Sequence, residues 1–259
     1  MVRMLRRAAL VLAVLAFPNA GFAQGDPPVI AGASDLKFAL EEIAQKFEAG
    51  GHGRVRLYMG SSGNIARQIE QGAPYQMFLS ADEGFVFRLA DRGLTRDRGD
   101  LYAIGRIVIF IPPWSDLQPD GTLENLRQAI ANRRLTRFAI ANPEHAPYGV
   151  AAMQALQRQG LWDAIRPALV LGENVSQAAQ FATTGNSQGG IIAYSLALAP
   201  QMKDRGRFEL IPAEWHEPLR QRMVLVRNPH PVAERFYRFM MEKPAREIMV
   251  RYGFVLPGE

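Results

Sequence analysis

Val55-Arg56-Leu57-Tyr58-Met59-Gly60-Ser61-Ser62-Gly63-Asn64-Ile65-Ala66 is the stretch that decides the fold. An apolar strand over 55–59 runs into a turn of small residues, and Ile65, Ala66 and Ile69 then recur at helical spacing. The same order stands upstream: Val29-Ile30-Ala31 reads as a strand, Ala33-Ser34-Asp35 as the turn, and Leu36, Leu40, Ile43 and Phe47 as a helix that Gly50-Gly51 closes. Each turn leaves the first N–H groups of a helix uncovered, with a serine hydroxyl beside them. Unpaired donors and the positive end of the helix dipole then point the same way, which suits an anion.

The alternation continues to the end of the chain. Met77-Phe78-Leu79 reads as a third strand, and Ser80-Ala81-Asp82-Glu83 has the spacing of a capping box for the next helix. A long apolar strand is expected over 104–112, a helix over 122–132 and a strand over 138–141. A helix begins at Tyr148 after the Pro-bracketed loop 142–147. A strand over 168–171 precedes Asn174-Val175-Ser176-Gln177, a second capping-box spacing, and a helix to Thr184. Strands over 190–194 and 223–226 and helices over 231–242 and 244–252 complete the reading. Short apolar strands between amphipathic helices predict an α/β chain with largely parallel sheets.

The first 23 residues read as a secretory signal peptide. Arg3, Arg6 and Arg7 precede an apolar run over 8–17 that is too short to span a membrane, and Gly21-Phe22-Ala23 offers a cleavage site. Cleavage near Ala23 leaves 236 of the 259 residues and predicts a periplasmic protein. We expect two lobes, one from 27–104 and 214–259 and the other from 105–213, joined by two hinge crossings around a cleft. The formal charge of +5 includes the three leader arginines, so +2 remains, with both signs interspersed. That balance gives no support to nucleic-acid or membrane-surface binding. There is no cysteine, and His52, His145, His216 and His230 lack metal-ligand spacing. No metal site and no cofactor is expected. Nor does the chain carry a nucleophile elbow or a Walker-type loop.

What remains is oxyanion binding by neutral donors. Ser34 and Ser62 can each offer a hydroxyl and a backbone N–H. The helix starts at Tyr148 and Val175 add backbone donors from the other lobe, and Tyr194 ends a strand where its phenol could enter the cleft. Each residue also has an ordinary use, since serines cap helices and tyrosines fill cores.

Three segments carry a resemblance to a known family: Ala31-Gly-Ala-Ser-Asp-Leu-Lys-Phe-Ala-Leu, Gly60-Ser-Ser-Gly-Asn-Ile-Ala-Arg-Gln-Ile-Glu-Gln-Gly-Ala-Pro, and Phe78-Leu-Ser-Ala-Asp-Glu. Asn142-Pro-Glu-His-Ala-Pro-Tyr-Gly, Glu173-Asn-Val and Arg251-Tyr-Gly-Phe follow in order. The chain resembles the periplasmic molybdate-binding proteins of ABC transporters over essentially all of its mature length, most specifically across 66–74 and 80–82.

The resemblance implies an α/β, two-lobed type II periplasmic binding protein fold and a monomer that captures molybdate, with tungstate as a second ligand, for membrane permease subunits. It implies no enzymatic activity. It also implies that Ser34 and Ser62 bind through hydroxyl and N–H, Tyr148 and Val175 through N–H, and Tyr194 through its phenol. Asp35 stands where many relatives carry a neutral residue, and its side chain is expected to turn away and cap the helix. The alternatives are a binder of sulfate or phosphate, or a secreted hydrolase, which would need a general base that neither serine turn holds.

Overall fold

The computed structural model describes residues 26–258; the expected signal peptide lies outside them. Ten strands run in chain order: β1 (Val29–Ala33), β2 (Arg56–Gly60), β3 (Tyr75–Ser80), β4 (Asp100–Gly105), β5 (Ile107–Ile111), β6 (Phe138–Ala141), β7 (Leu169–Gly172), β8 (Gly190–Ala193), β9 (Arg207–Leu210) and β10 (Leu219–Leu225). Ten α-helices accompany them among the described residues. The first five are α1 (Lys37–Ala49), α2 (Ser62–Glu70), α3 (Glu83–Asp91), α4 (Glu124–Ala131) and α5 (Pro147–Arg158). They are followed by α6 (Trp162–Ile165), α7 (Val175–Thr183), α8 (Tyr194–Ala197), α9 (Pro231–Met240) and α10 (Lys243–Arg251). A 3-10 turn, Ser34–Leu36, separates β1 from α1.

The strands form two sheets of five, in the orders β2-β1-β3-β10-β4 and β7-β6-β8-β5-β9. In the first sheet β2, β1 and β3 are parallel, while β10 runs antiparallel to both β3 and β4. In the second, β7, β6 and β8 are parallel and β5 runs antiparallel to β8 and β9. Each parallel trio is thus extended on one side by strands of mixed direction.

Alternation along the strands builds the layers, because successive side chains point to opposite faces. Ile30, Met77, Leu79, Met223 and Leu225 pack with α1, α9 and α10 on one face of the first sheet. Ala31, Phe78 and Val224 pack with Ile65, Ile69, Val86 and Leu89 of α2 and α3 on the other. Strand β5 is buried along its whole length, as is β6, and they anchor the core of the second sheet.

The single long strand expected over 104–112 is in fact two. β4 belongs to the first sheet, β5 to the second, and Arg106 is the crossing between them. The return crossing runs through 211–218. The two are tied together: the Ile211 N–H donates to the Ile107 carbonyl at 3.1 Å, and Arg106 Nη2 donates to the Ile211 carbonyl at 3.3 Å. Two adjacent covalent crossings make a hinge.

Capping differs from expectation at α3. The cap of α3 is Asp82, whose Oδ1 accepts the Gly84 N–H at 2.7 Å, while the Ser80 hydroxyl donates to the Asp82 carbonyl. Asn174 caps α7 as expected, accepting from Gln177 N–H at 3.1 Å, and Gln177 reaches back to Glu173 N–H at 2.7 Å.

Candidate functional site

The turns after β1 and β2 meet the N-termini of α5 and α7 between the two sheets. They enclose a small cavity lined by Ser34, Asp35, Gly60, Ser61, Ser62, Ala81, Ala146, Pro147, Tyr148 and Val175, among others. It leaves about 10 Å³ for the centre of a water-sized guest, near the threshold for a single water molecule. No lysine, arginine or histidine side chain is among its lining residues.

Geometry decides what each donor can do. The Ser62 Oγ accepts the Ala81 N–H at 2.9 Å, so its own proton is left to give. Ser34 Oγ accepts the Ser176 N–H at 3.3 Å, with the same consequence. The N–H groups of Ser62, Tyr148 and Val175, all in first turns of helices, donate to nothing among the described residues. Pro147 opens α5 at no cost, because a first-turn N–H would be unpaired there anyway. The structure therefore brings Ser34, Ser62, Tyr148 and Val175 together.

Tyr194 is a correction. Strand β8 stops at Ala193, and Tyr194 opens the short helix α8, so its side chain leaves in another direction. The ring lies edge-on to Phe208 at 5.9 Å and against Gly253, and Tyr194 is not among the lining residues. The neighbouring Ser195 reaches the turn instead, donating to the Asp35 carbonyl at 2.8 Å.

Two contributors escaped the sequence reading. The Ser61 hydroxyl is buried in the cavity wall with no hydrogen-bond partner, a state that costs a polar group about 1–3 kcal/mol unless a guest supplies the bond. Asp35 does not cap the helix as expected. Its Oδ2 accepts from the Tyr148 phenol at 3.0 Å and from Gln221 Nε2 at 2.7 Å. Gln221 Nε2 also donates to the Tyr148 oxygen at 3.0 Å, and its Oε1 accepts from Tyr102 at 2.8 Å. This network joins β4, β10 and the Ser34–Leu36 turn to α5 of the opposite lobe. Burial pushes the Asp35 carboxyl up to about 7, opposed by the bonds from Gln221 and Tyr148 and, more weakly, by the backbone N–H groups of Asp35 and Leu36. Burial, then the charge of Asp35, holds both Tyr148 and Tyr102 well above the usual phenol range, so both remain donors.

Further bonds cross between the lobes around the cavity. Gly63 N–H donates to the His145 carbonyl at 3.0 Å, Asn64 to Glu173 Oε2 at 3.0 Å, and the Ser176 hydroxyl to the Ser34 carbonyl at 2.7 Å. At Gly63 a Cβ would stand 2.7 Å from the His145 oxygen. Gly63→Ala is therefore expected to oppose closure and weaken ligand binding about 5- to 150-fold, the equivalent of an overpacking cost of about 1–3 kcal/mol, with an intact open form. Titration calorimetry alongside small-angle scattering checks this; unchanged affinity contradicts it. A larger groove of about 260 Å³ lies alongside, between Asp82 on one lobe, Glu217 in the return crossing, and Glu144 and Gln154 on the other lobe. Its three carboxylates suit it poorly to an anion.

Two α/β lobes joined at a double hinge, with donors from both facing one small cavity, define a solute-binding protein rather than an enzyme. The chain belongs to the bacterial extracellular solute-binding protein family, whose sequence model matches residues 28–255. It is 33% identical to the molybdate-binding protein ModA of Rhodobacter capsulatus, over 97% of this chain and 96% of that one. It is 31% identical to ModA of Azotobacter vinelandii, over 95% and 97%. The solved structure of the Azotobacter vinelandii periplasmic molybdate-binding protein matches with a TM-score of 0.79 at 30% identity, covering 89% of this chain and 99% of that one. The fold is the type II periplasmic binding protein fold.

Proposed function

We propose that this protein captures molybdate, and tungstate with it, in the periplasm and delivers it to the membrane permease subunits of an ABC transporter. It acts as a monomer after its signal peptide is cleaved near Ala23. Its lobes comprise 27–104 with 214–259, and 105–213, and they close on the anion. Ser34, Ser61 and Ser62 from one lobe and the N–H groups of Tyr148 and Val175 from the other hold the guest.

One observation carries this reading: uncommitted neutral donors from opposite lobes converge on a cavity with no cationic side chain in its lining. Charge-assisted bonds from fixed dipoles neutralise a dianion and grade it by size at once. The relatives' names supply the particular anion. Calorimetric titration with molybdate, tungstate, sulfate and phosphate tests it. Molybdate and tungstate are expected to bind far more tightly than the other two. Sulfate or phosphate binding as tightly as molybdate, or no molybdate heat, contradicts the reading.

A further inference from the structure

The cavity that we assign to a dianion holds an acid. Asp35 is 1% exposed, lines the cavity, and has one oxygen, Oδ1, with no hydrogen-bond partner. Its other oxygen is committed to Tyr148 of α5 and Gln221 of β10, with Tyr102 of β4 behind. From α7 and α8 only neutral groups donate to the turn, the Ser176 N–H and hydroxyl and the Ser195 hydroxyl. Lys37, at the start of α1, holds its ammonium over the Phe38 ring. No cation therefore faces Asp35 among the described residues, and an ionised carboxylate beside a doubly negative guest would be strongly repelled.

We propose that Asp35 serves as a proton-carrying donor, binding the captured oxyanion as the neutral acid through Oδ1–H, so that each dianion taken up brings one proton from solution. The inference rests on the oxyanion reading above. The balance is simple: ionised protein, one proton and one dianion give a complex in which the proton sits between Oδ1 and a ligand oxygen. Tyr148 and Gln221 hold Oδ2 as the acceptor end of the carboxyl, which leaves Oδ1 to carry the hydrogen. Burial already pushes the group up to about 7 from 3.8 before any second negative charge arrives, and a dianion raises it further. Below that value the donor is ready; above it each binding event must first recover a proton.

The test is calorimetric titration of the wild-type protein and Asp35→Asn with molybdate, from about pH 6 to about pH 9, in pairs of buffers with different ionisation enthalpies. Molybdate stays a dianion over this range, so any proton exchanged belongs to the protein. At about pH 8 and above the wild type is expected to take up close to one proton per molybdate and to lose about tenfold in affinity per pH unit. Asp35→Asn, whose amide donates without titrating, is expected to take up none and to hold a flat affinity, binding more tightly than wild type at the alkaline end. Wild-type binding with constant affinity and no proton uptake overturns the proposal while leaving molybdate capture standing. So does a preference for phosphate that grows with pH, which would make Asp35 an acceptor from a protonated guest. No molybdate binding at any pH overturns the oxyanion reading itself. The wild-type proton count decides the matter even if the variant does not fold.

Discussion

Asp35→Asn is expected to make the ligand-free protein markedly more stable at about pH 8 and little different at about pH 4. The folded-state value of about 7 lies above the 3.8 of an unconstrained carboxyl. The contribution of this carboxyl to stability is therefore whole below 3.8 and is lost as the pH rises through about 7. The difference corresponds to about 4 kcal/mol at most, taking roughly 1.4 kcal/mol per pKa unit. Asparagine preserves the shape: its oxygen can accept from Tyr148 and Gln221 while its amide replaces Oδ1. Urea midpoints at the two pH values measure the effect. A gap between variant and wild type that does not change with pH, or a variant less stable at about pH 8, contradicts it.

The second large effect is on affinity. Removing one buried donor to a charged ligand costs about 1.5–3 kcal/mol, so Ser34→Ala and Ser62→Ala are each expected to weaken molybdate binding about 10- to 150-fold. The double variant falls short of or exceeds the product, because both hydroxyls address one guest. Their side effects differ and can be separated. Ser62→Ala also strands the buried Ala81 N–H and should lower ligand-free stability. Ser34→Ala removes an acceptor for the Ser176 N–H across the cleft and should bear mainly on closure. Titration calorimetry with parallel urea melts resolves the two. Unchanged affinity in both variants contradicts the assignment of the serine turns.

Much of this was legible in the sequence, for physical reasons. Strand, small-residue turn and amphipathic helix in immediate succession place Ser34 and Ser62 at helix starts, and Pro147 and Asn174 mark the two starts opposite. What was not legible lies in pairings between distant parts of the chain. Gln221 looks like an ordinary strand residue, yet it meets Asp35, 186 positions away, at the centre of the interlobe network. Strand β9 is an edge strand with two charged residues, and most of it is exposed, so no apolar signal announces it. The run 104–112 is apolar except at Gly105-Arg106, and that break, where the backbone changes sheets, is too short to distinguish two strands from one. Tyr194 was misplaced because the strand ends one residue earlier than its apolar pattern suggests. The phenol that enters the interlobe network is that of Tyr148 instead.

A crystal structure of the protein grown with molybdate, with the metal located by its anomalous scattering, tests the central claim most directly. The account predicts one molybdenum between the lobes, its oxygens within hydrogen-bond distance of Ser34, Ser61 and Ser62 hydroxyls and of the Tyr148 and Val175 N–H groups. An arginine or lysine coordinating the anion, or molybdenum bound elsewhere with this cavity left empty, would contradict it.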